Sequence, residues 1–149
     1  MKTHLVRLFE YNQWANQLFC ETILNADYQN KKIDVLISHT LAAELIWLDR
    51  ISPVNTPVLG VWELLSLNEA IESLKAADEL WLSYLKEDPA IDTVIKYTDS
   101  AGKKHQTILK DIITHVANHG THHRGQLATL LRQENIAPPA SDFIFFARS

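Results

Sequence analysis

The sequence predicts an all-α fold, a single-domain helical bundle, with a short β-hairpin before the last helix. Three observations predict it. Four segments place apolar residues at the helical period, a capping box opens one of them, and one stretch alone joins β-branched residues to a turn. With 149 residues, 46% hydrophobic and 21% charged, the chain has the size of one domain, 1–149, able to bury roughly two-thirds of its unfolded surface around one core.

The first helix spans residues 4 to 26. Leu5, Leu8, Phe9, Asn12, Ala15, Asn16, Phe19 and Ile23 recur there at helical spacing, and Thr3 is available as the N-cap. The second helix, residues 32 to 51, is apolar round most of its circumference, so it packs on more than one side. Between Ser52 and Val61, Pro53, Pro57 and Gly60 break the periodicity and mark a loop. Ser66-Leu67-Asn68-Glu69 then reads as a capping box that starts a third helix ending near Lys86. Asp92 to Tyr97 and Lys103 to Thr107 flank Asp99-Ser-Ala-Gly102 as a hairpin. The fourth helix runs from about Ile108 to Arg132, although Gly120 and Gly125 in its interior each cost about 1 kcal/mol relative to Ala. Such glycines usually have a packing reason. Pro138 and Pro139 stop regular helix, and the tail carries Phe143, Ile144, Phe145 and Phe146, apolar enough to cover an end of the bundle.

Composition removes several functions. The net charge is -4, with Lys and Arg scattered, so there is no basic stripe to neutralise a phosphate backbone and no nucleic-acid partner is expected. No apolar run reaches signal-peptide length at the start or the ~20 residues of a membrane span, and a cytoplasmic protein without membrane contact is expected. Cys20 is the single cysteine, which rules out an internal disulfide or a thiolate cluster within one chain. It falls on the inward side of helix one and reads as a buried small hydrophobe.

Five of the seven histidines lie between His105 and His123, four of them within HVANHGTHH of the fourth helix. At 100° per residue, Leu109, Ile112, Val116, Leu127 and Leu130 draw the apolar stripe of that helix. His119 and His123 fall inside the stripe, whereas His115 and His122 lie roughly 100° or more from its centre. The inward pair is four residues apart, so both imidazoles can approach one ion. Burying them without an ion leaves four ring nitrogens to satisfy and makes charging costly. A shared divalent metal resolves both demands, although hydrogen-bonded core histidines remain the alternative. A catalytic site wants a third ligand and an open position. His39 on the second helix is the candidate, in an arc with Leu36, Ala43 and Ile46, but periodicity alone does not choose it.

Glu44 shares the apolar arc of the second helix and is a candidate acceptor for an imidazole N–H, with a core salt bridge as its alternative. Gln126, one turn after His123, is a second candidate to hydrogen-bond near the site. Trp14 and Trp47 read as packing residues.

YNQWANQLF, SHTLAAELIWLDRI and above all HVANHGTHHRGQLATLLRQ followed by PPASDFIFF resemble the DinB/YfiT-like proteins, which are unrelated to the DNA polymerase of the same name. The resemblance covers nearly the whole chain. It implies an antiparallel four-helix bundle with a long connection, commonly a homodimer, and a three-histidine metal centre. Carried onto this sequence, the ligands are His39, at the head of HTLAAE, and His119 and His123, which bracket HGTHH.

Three neutral imidazoles leave a divalent ion its full charge and an exchangeable position, where it can bring bound water toward a pKa of ~7 or stabilise a thiolate. The resemblance therefore implies a metal-dependent enzyme with zinc or nickel, first of all a thiol S-transferase acting on small electrophiles with a low-molecular-weight thiol. Metal-dependent hydrolysis is the enzymatic alternative, and a non-catalytic, dimeric metal-binding stress-response module the other. A fourth protein ligand such as Glu44 or Asp142 would close the site and favour the last. A homodimer is also expected because the second helix is apolar on too many sides for one core to cover.

Overall fold

A computed structural model of the chain describes residues 1–52 and 59–149. Its elements are α1 (Lys2–Leu24), α2 (Lys32–Ile51), α3 (Leu67–Lys86), β1 (Val94–Thr98), β2 (Lys104–Ile108), α4 (Leu109–Gln133) and a short α5 (Phe143–Phe146). The Pro53 and Pro57 interruption expected from the sequence lies outside the described residues. The first helix starts earlier than Thr3 would have it. Met1 occupies the cap position without a side-chain bond, and its carbonyl accepts from the amides of His4 and Leu5, which draws Thr3 into the helix. α3 opens as expected: the Ser66 hydroxyl accepts from the Glu69 amide and the Glu69 carboxylate accepts from the Ser66 amide at 3.2 Å.

Two apolar clusters fix the direction of the helices. One joins Leu5 and Phe9 near the start of α1 to Leu48 late in α2, Leu82 and Leu85 late in α3, and Leu109 and Ile113 early in α4. The other joins Phe19 and Ile23 late in α1 to Ile33 and Ile37, Ile71 and Leu74, and Leu127 and Leu131. Thus α1 and α4 run one way, α2 and α3 the other, and the adjacent pairs α1–α3 and α2–α4 are antiparallel. Because α2 and α3 point the same way, the chain between them must travel back along the bundle, which is why that connection is long.

The hairpin bridges α3 to α4 in antiparallel register from Val94 opposite Ile108 to Thr98 opposite Lys104. Its turn is built by Asp99, whose carboxylate accepts from the amides of Ala101 and Lys103. Gly102 there adopts φ +82°, a conformation glycine holds without strain. The tail departs from expectation. It lies along α1 rather than over an end of the bundle, because Tyr11 donates to the Ser141 carbonyl at 3.0 Å and packs edge-on against Phe143, while Trp14 packs against Phe146. Among the described residues no helix is long and apolar enough to cross a membrane.

Between the apolar clusters lies a buried polar layer of Asn12, Asn16, Glu44, Asp78 and Arg124. The Arg124 guanidinium donates to the carbonyl oxygens of Asn12 and Asn16 at 2.8 and 2.7 Å. The two amide nitrogens donate onward to Glu44 and Asp78 at 2.9 to 3.3 Å. Gly120 has its packing reason here: a Cβ at that position would stand 2.4 Å from the Asn12 side-chain oxygen. Gly125 does not, since nothing lies within 4 Å of the equivalent point.

Candidate metal centre

The seam between α2 and α4 brings together the three histidines singled out in the sequence. His39 and His123 are buried at 6% and 7% exposure, and His119 is half-buried beside them. The His39 ring centre stands 5.1 Å from that of His119 and 4.7 Å from that of His123. One ligand nitrogen from each ring can be chosen so that all three lie within 4.8 Å of one another. They converge because His119 and His123 sit on successive turns of the inward face of α4, and α2 runs antiparallel beside it.

Hydrogen bonds assign the ring nitrogens. His39 donates through Nδ1 to the Val61 carbonyl at 2.8 Å, and His123 donates through Nδ1 to the Gln126 side-chain oxygen at 2.7 Å. A carbonyl only accepts, so both rings carry the proton on Nδ1 and present a lone pair at Nε2. The Nε2 atoms of His119 and His123 face each other at 3.1 Å. Burial, then repulsion from His123, His39 and the other imidazoles, holds His119 down at about 4. Burial foremost also lowers His123, against the opposing effect of Gln126. These effects favour the neutral form of His119 and His123, the state in which imidazole binds a metal.

The donor set fits a divalent ion. With bonds of 2.0–2.1 Å, neighbouring nitrogens of a tetrahedral site lie about 3.3 Å apart, close to the 3.1 Å between His119 and His123. The outer N–H groups of His39 and His123 already have acceptors in Val61 and Gln126, the kind of partner metal-bound imidazoles take. The Gln126 side chain, whose oxygen accepts from His123, also donates through its amide nitrogen toward His122 at 3.2 Å. Glu44 stands apart from the imidazoles. Its Oε1 accepts from Asn12 and Asn16 in the polar layer and its backbone carbonyl from Trp81, and it accepts from no imidazole among the described residues. The helix turns that carboxylate toward α1 and α3, while His39 faces α4. Asp142 caps α5 in the tail and is not in the histidine group either. The group contains three residues among those described, with no carboxylate.

His115 and His122 stay at the margin. Both are exposed, and their rings stand 5.6 Å from His119 and 5.0 Å from His123 respectively. Cys20 is buried away from the imidazoles, and burial foremost pushes its thiol up to about 12, so it is no nucleophile. Two contributors had no signal in helical periodicity because they lie on the connection after α2. These are the Val61 carbonyl and Trp62, whose ring stacks on His39 at 3.8 Å and 8°.

A helical bundle with three imidazoles converging between antiparallel helices has the arrangement in which bundle proteins can hold a metal ion. The DinB family model matches residues 1–149, and the chain belongs to the DinB family. It is also similar to Protein DinB of Bacillus subtilis (strain 168), 24% identical over 160 residues that cover 96% of this chain and 93% of that protein.

Proposed function

We propose that the protein is a metal-dependent enzyme, a thiol S-transferase that acts on small electrophiles and uses zinc or nickel held by His39, His119 and His123. The observation that carries this reading is the donor set: three converging imidazoles, two with their outer N–H groups already bonded, and no fourth protein ligand in the group among the described residues. A divalent ion bound there keeps its full charge and lowers the pKa of a thiol or water at its open position. The chain's own residues do the rest. Val61 and Gln126 fix the planes of the His39 and His123 rings, and Trp62 lies flat over His39, where it limits access of water. In the transfer the thiol gives its proton to solvent, its sulfur bonds to the electrophilic carbon, and the leaving group departs with the electron pair of the broken bond.

The test compares protein stripped of metal with protein reloaded with zinc or nickel, using 2-mercaptoethanol and 1-chloro-2,4-dinitrobenzene. Conjugation above the uncatalysed rate is expected to follow metal content, at least about tenfold faster in the loaded protein. Metal content itself should fall below about pH 6, because protons compete for imidazole nitrogen. Equal rates for loaded and stripped protein over a panel of thiols and electrophiles would leave a metal-binding protein without this activity.

We further propose a homodimer. Trp62, Leu64 and Leu80 are exposed at 63%, 60% and 42%, and a second copy of the chain would cover such apolar side chains. α3, α4 and the hairpin cover much of α2, so support for the dimer comes from these side chains more than from α2 itself. Light scattering at micromolar concentration should give about twice the 17.0 kDa chain mass; the mass of one chain contradicts the proposal.

A further inference from the structure

Beyond the three imidazoles, the α2–α4 seam continues as a wall of aromatic rings that the proposed chemistry leaves unused. The His115 ring stands 5.6 Å from that of His119 and meets Trp47 edge-on at 5.2 Å. Trp47 in turn meets Tyr97 of β1 edge-on at 5.0 Å. Arg50 lies over this wall, its guanidinium carbon 4.6 Å from the centre of the Trp47 ring and 5.0 Å from that of Tyr97. Arg50, Trp47 and Tyr97 are each half-buried.

Arg50 is a cation without an anion. No carboxylate among the described residues forms a salt bridge with it, and residues 53–58 contain neither Asp nor Glu. A half-buried guanidinium pays for its desolvation through a partner, and rings alone return only about 0.5–2 kcal/mol. Two rings also hold the planar group in place, so that its N–H edge is pre-oriented for a carboxylate, whose geometry it matches in bidentate fashion. The wall leads from Arg50 through Trp47 and His115 to His119; along α2, Arg50 stands eleven residues from His39, about three helical turns or ~16 Å, of which a metal–ligand bond and a guanidinium–carboxylate contact take up roughly 6 Å.

We propose that Arg50, set on Trp47 and Tyr97, is the carboxylate-binding subsite of the three-histidine centre. The centre then takes a small molecule that carries a carboxylate on the order of 10 Å from the atom that reacts. This rests on the proposed thiol reading of the centre, and the experiment separates the two. Cobalt(II)-loaded protein is titrated with 8-mercaptooctanoate and with 8-mercaptooctan-1-ol, and the thiolate-to-cobalt absorption band is followed. The pair differs only in the terminal carboxylate. The acid is expected to bind about tenfold more tightly than the alcohol, the low end for a hydrogen bond to a charged group. Arg50→Met keeps the apolar stem over the rings and should bring that ratio to about one, with Arg50→Lys between. Equal binding of the two thiols to the unmodified protein overturns the subsite. So does a preference that survives Arg50→Met.

A second arm does not depend on the metal. In stripped protein the Trp47 indole N–H resonance is titrated with octanoate and with octan-1-ol at fixed ionic strength. A saturable shift with octanoate alone, absent in Arg50→Met, supports the subsite even if neither thiol perturbs cobalt, a result that would sink only the thiol reading. No octanoate-specific shift in this arm overturns the subsite whatever the cobalt band does. If Arg50 merely ties the hairpin to α2, Arg50→Met lowers the melting temperature while both thiols bind the unmodified protein alike.

Discussion

Replacing any one of His39, His119 or His123 by Ala is expected to lower divalent-metal affinity by at least about 100-fold, while His115→Ala and His122→Ala keep most of it. Loss of a partner to a ligating imidazole typically costs 10–100-fold, and loss of the ligand itself costs more, because three ligands are the minimum for such a site. Gln126→Ala should fall in that 10–100-fold range, since the amide oxygen that fixes the His123 proton on Nδ1 is lost. The measurement is the metal-to-protein ratio at pH 7.5 after equal dialysis of untagged variants. His122 and His123 are adjacent in sequence but sit on different faces, one exposed and one at 7% exposure. Their contrast therefore tests the helical-phase argument directly. If His122→Ala lost the ion and His123→Ala kept it, the centre would have to be rebuilt on another face of α4.

What could be read in the sequence was whatever a helical period encodes. The inward phase of His119 and His123 follows from the same stripe that buries Val116 and Leu127, and the Ser66 box marks the start of α3 through local bonding alone. His39 was less legible. Its arc on α2 depends on which neighbour the helix meets, and an all-round apolar helix does not reveal that. Glu44 shows the limit more clearly. Its burial was evident, but the partners of its carboxylate, Asn12 and Asn16, are 32 and 28 residues away on α1. The signal that existed was the presence of Asn12 and Asn16 within the apolar stripe of α1. Polar side chains at core positions need partners, and Glu44, Asp78 and Arg124 are the ones they have. Val61 and Trp62 lie on a connection without periodicity, so only the folded chain shows that they reach His39.

The polar layer sets up the second large effect, on stability rather than binding. Arg124 is the one cation among the five side chains of that layer, facing two carboxyl groups that burial foremost pushes well above the usual carboxylate range. Removing one partner of a buried charged set typically costs 3–5 kcal/mol, because the remaining charge has no compensation. Arg124→Met is therefore expected to lose about that much in urea denaturation at pH 7, whereas Glu44→Gln, which removes a group costly to ionise, should change stability by less than about 1.5 kcal/mol. The pH dependence has a definite sign. Carboxyls with raised folded-state pKa values hold more protons than the unfolded chain, so their contribution is complete below about pH 4 and is lost as they ionise at higher pH. Arg124 favours that ionisation, and without it the loss should steepen, so Arg124→Met is worse at pH 8 than at pH 5. Gly120→Ala probes the same layer from its backbone side. Alanine gains about 1 kcal/mol in helix propensity, but its Cβ would stand 2.4 Å from the Asn12 oxygen and 2.9 Å from the Arg124 guanidinium. Asn12 is fully buried and bonded on both sides and has nowhere to move. A net loss of roughly 1–3 kcal/mol is expected, smaller in Gly120→Ala combined with Asn12→Ala than the sum of the two single changes. If Arg124→Met cost under about 1 kcal/mol and equally at both pH values, the layer would not be the charged network that its hydrogen bonds describe.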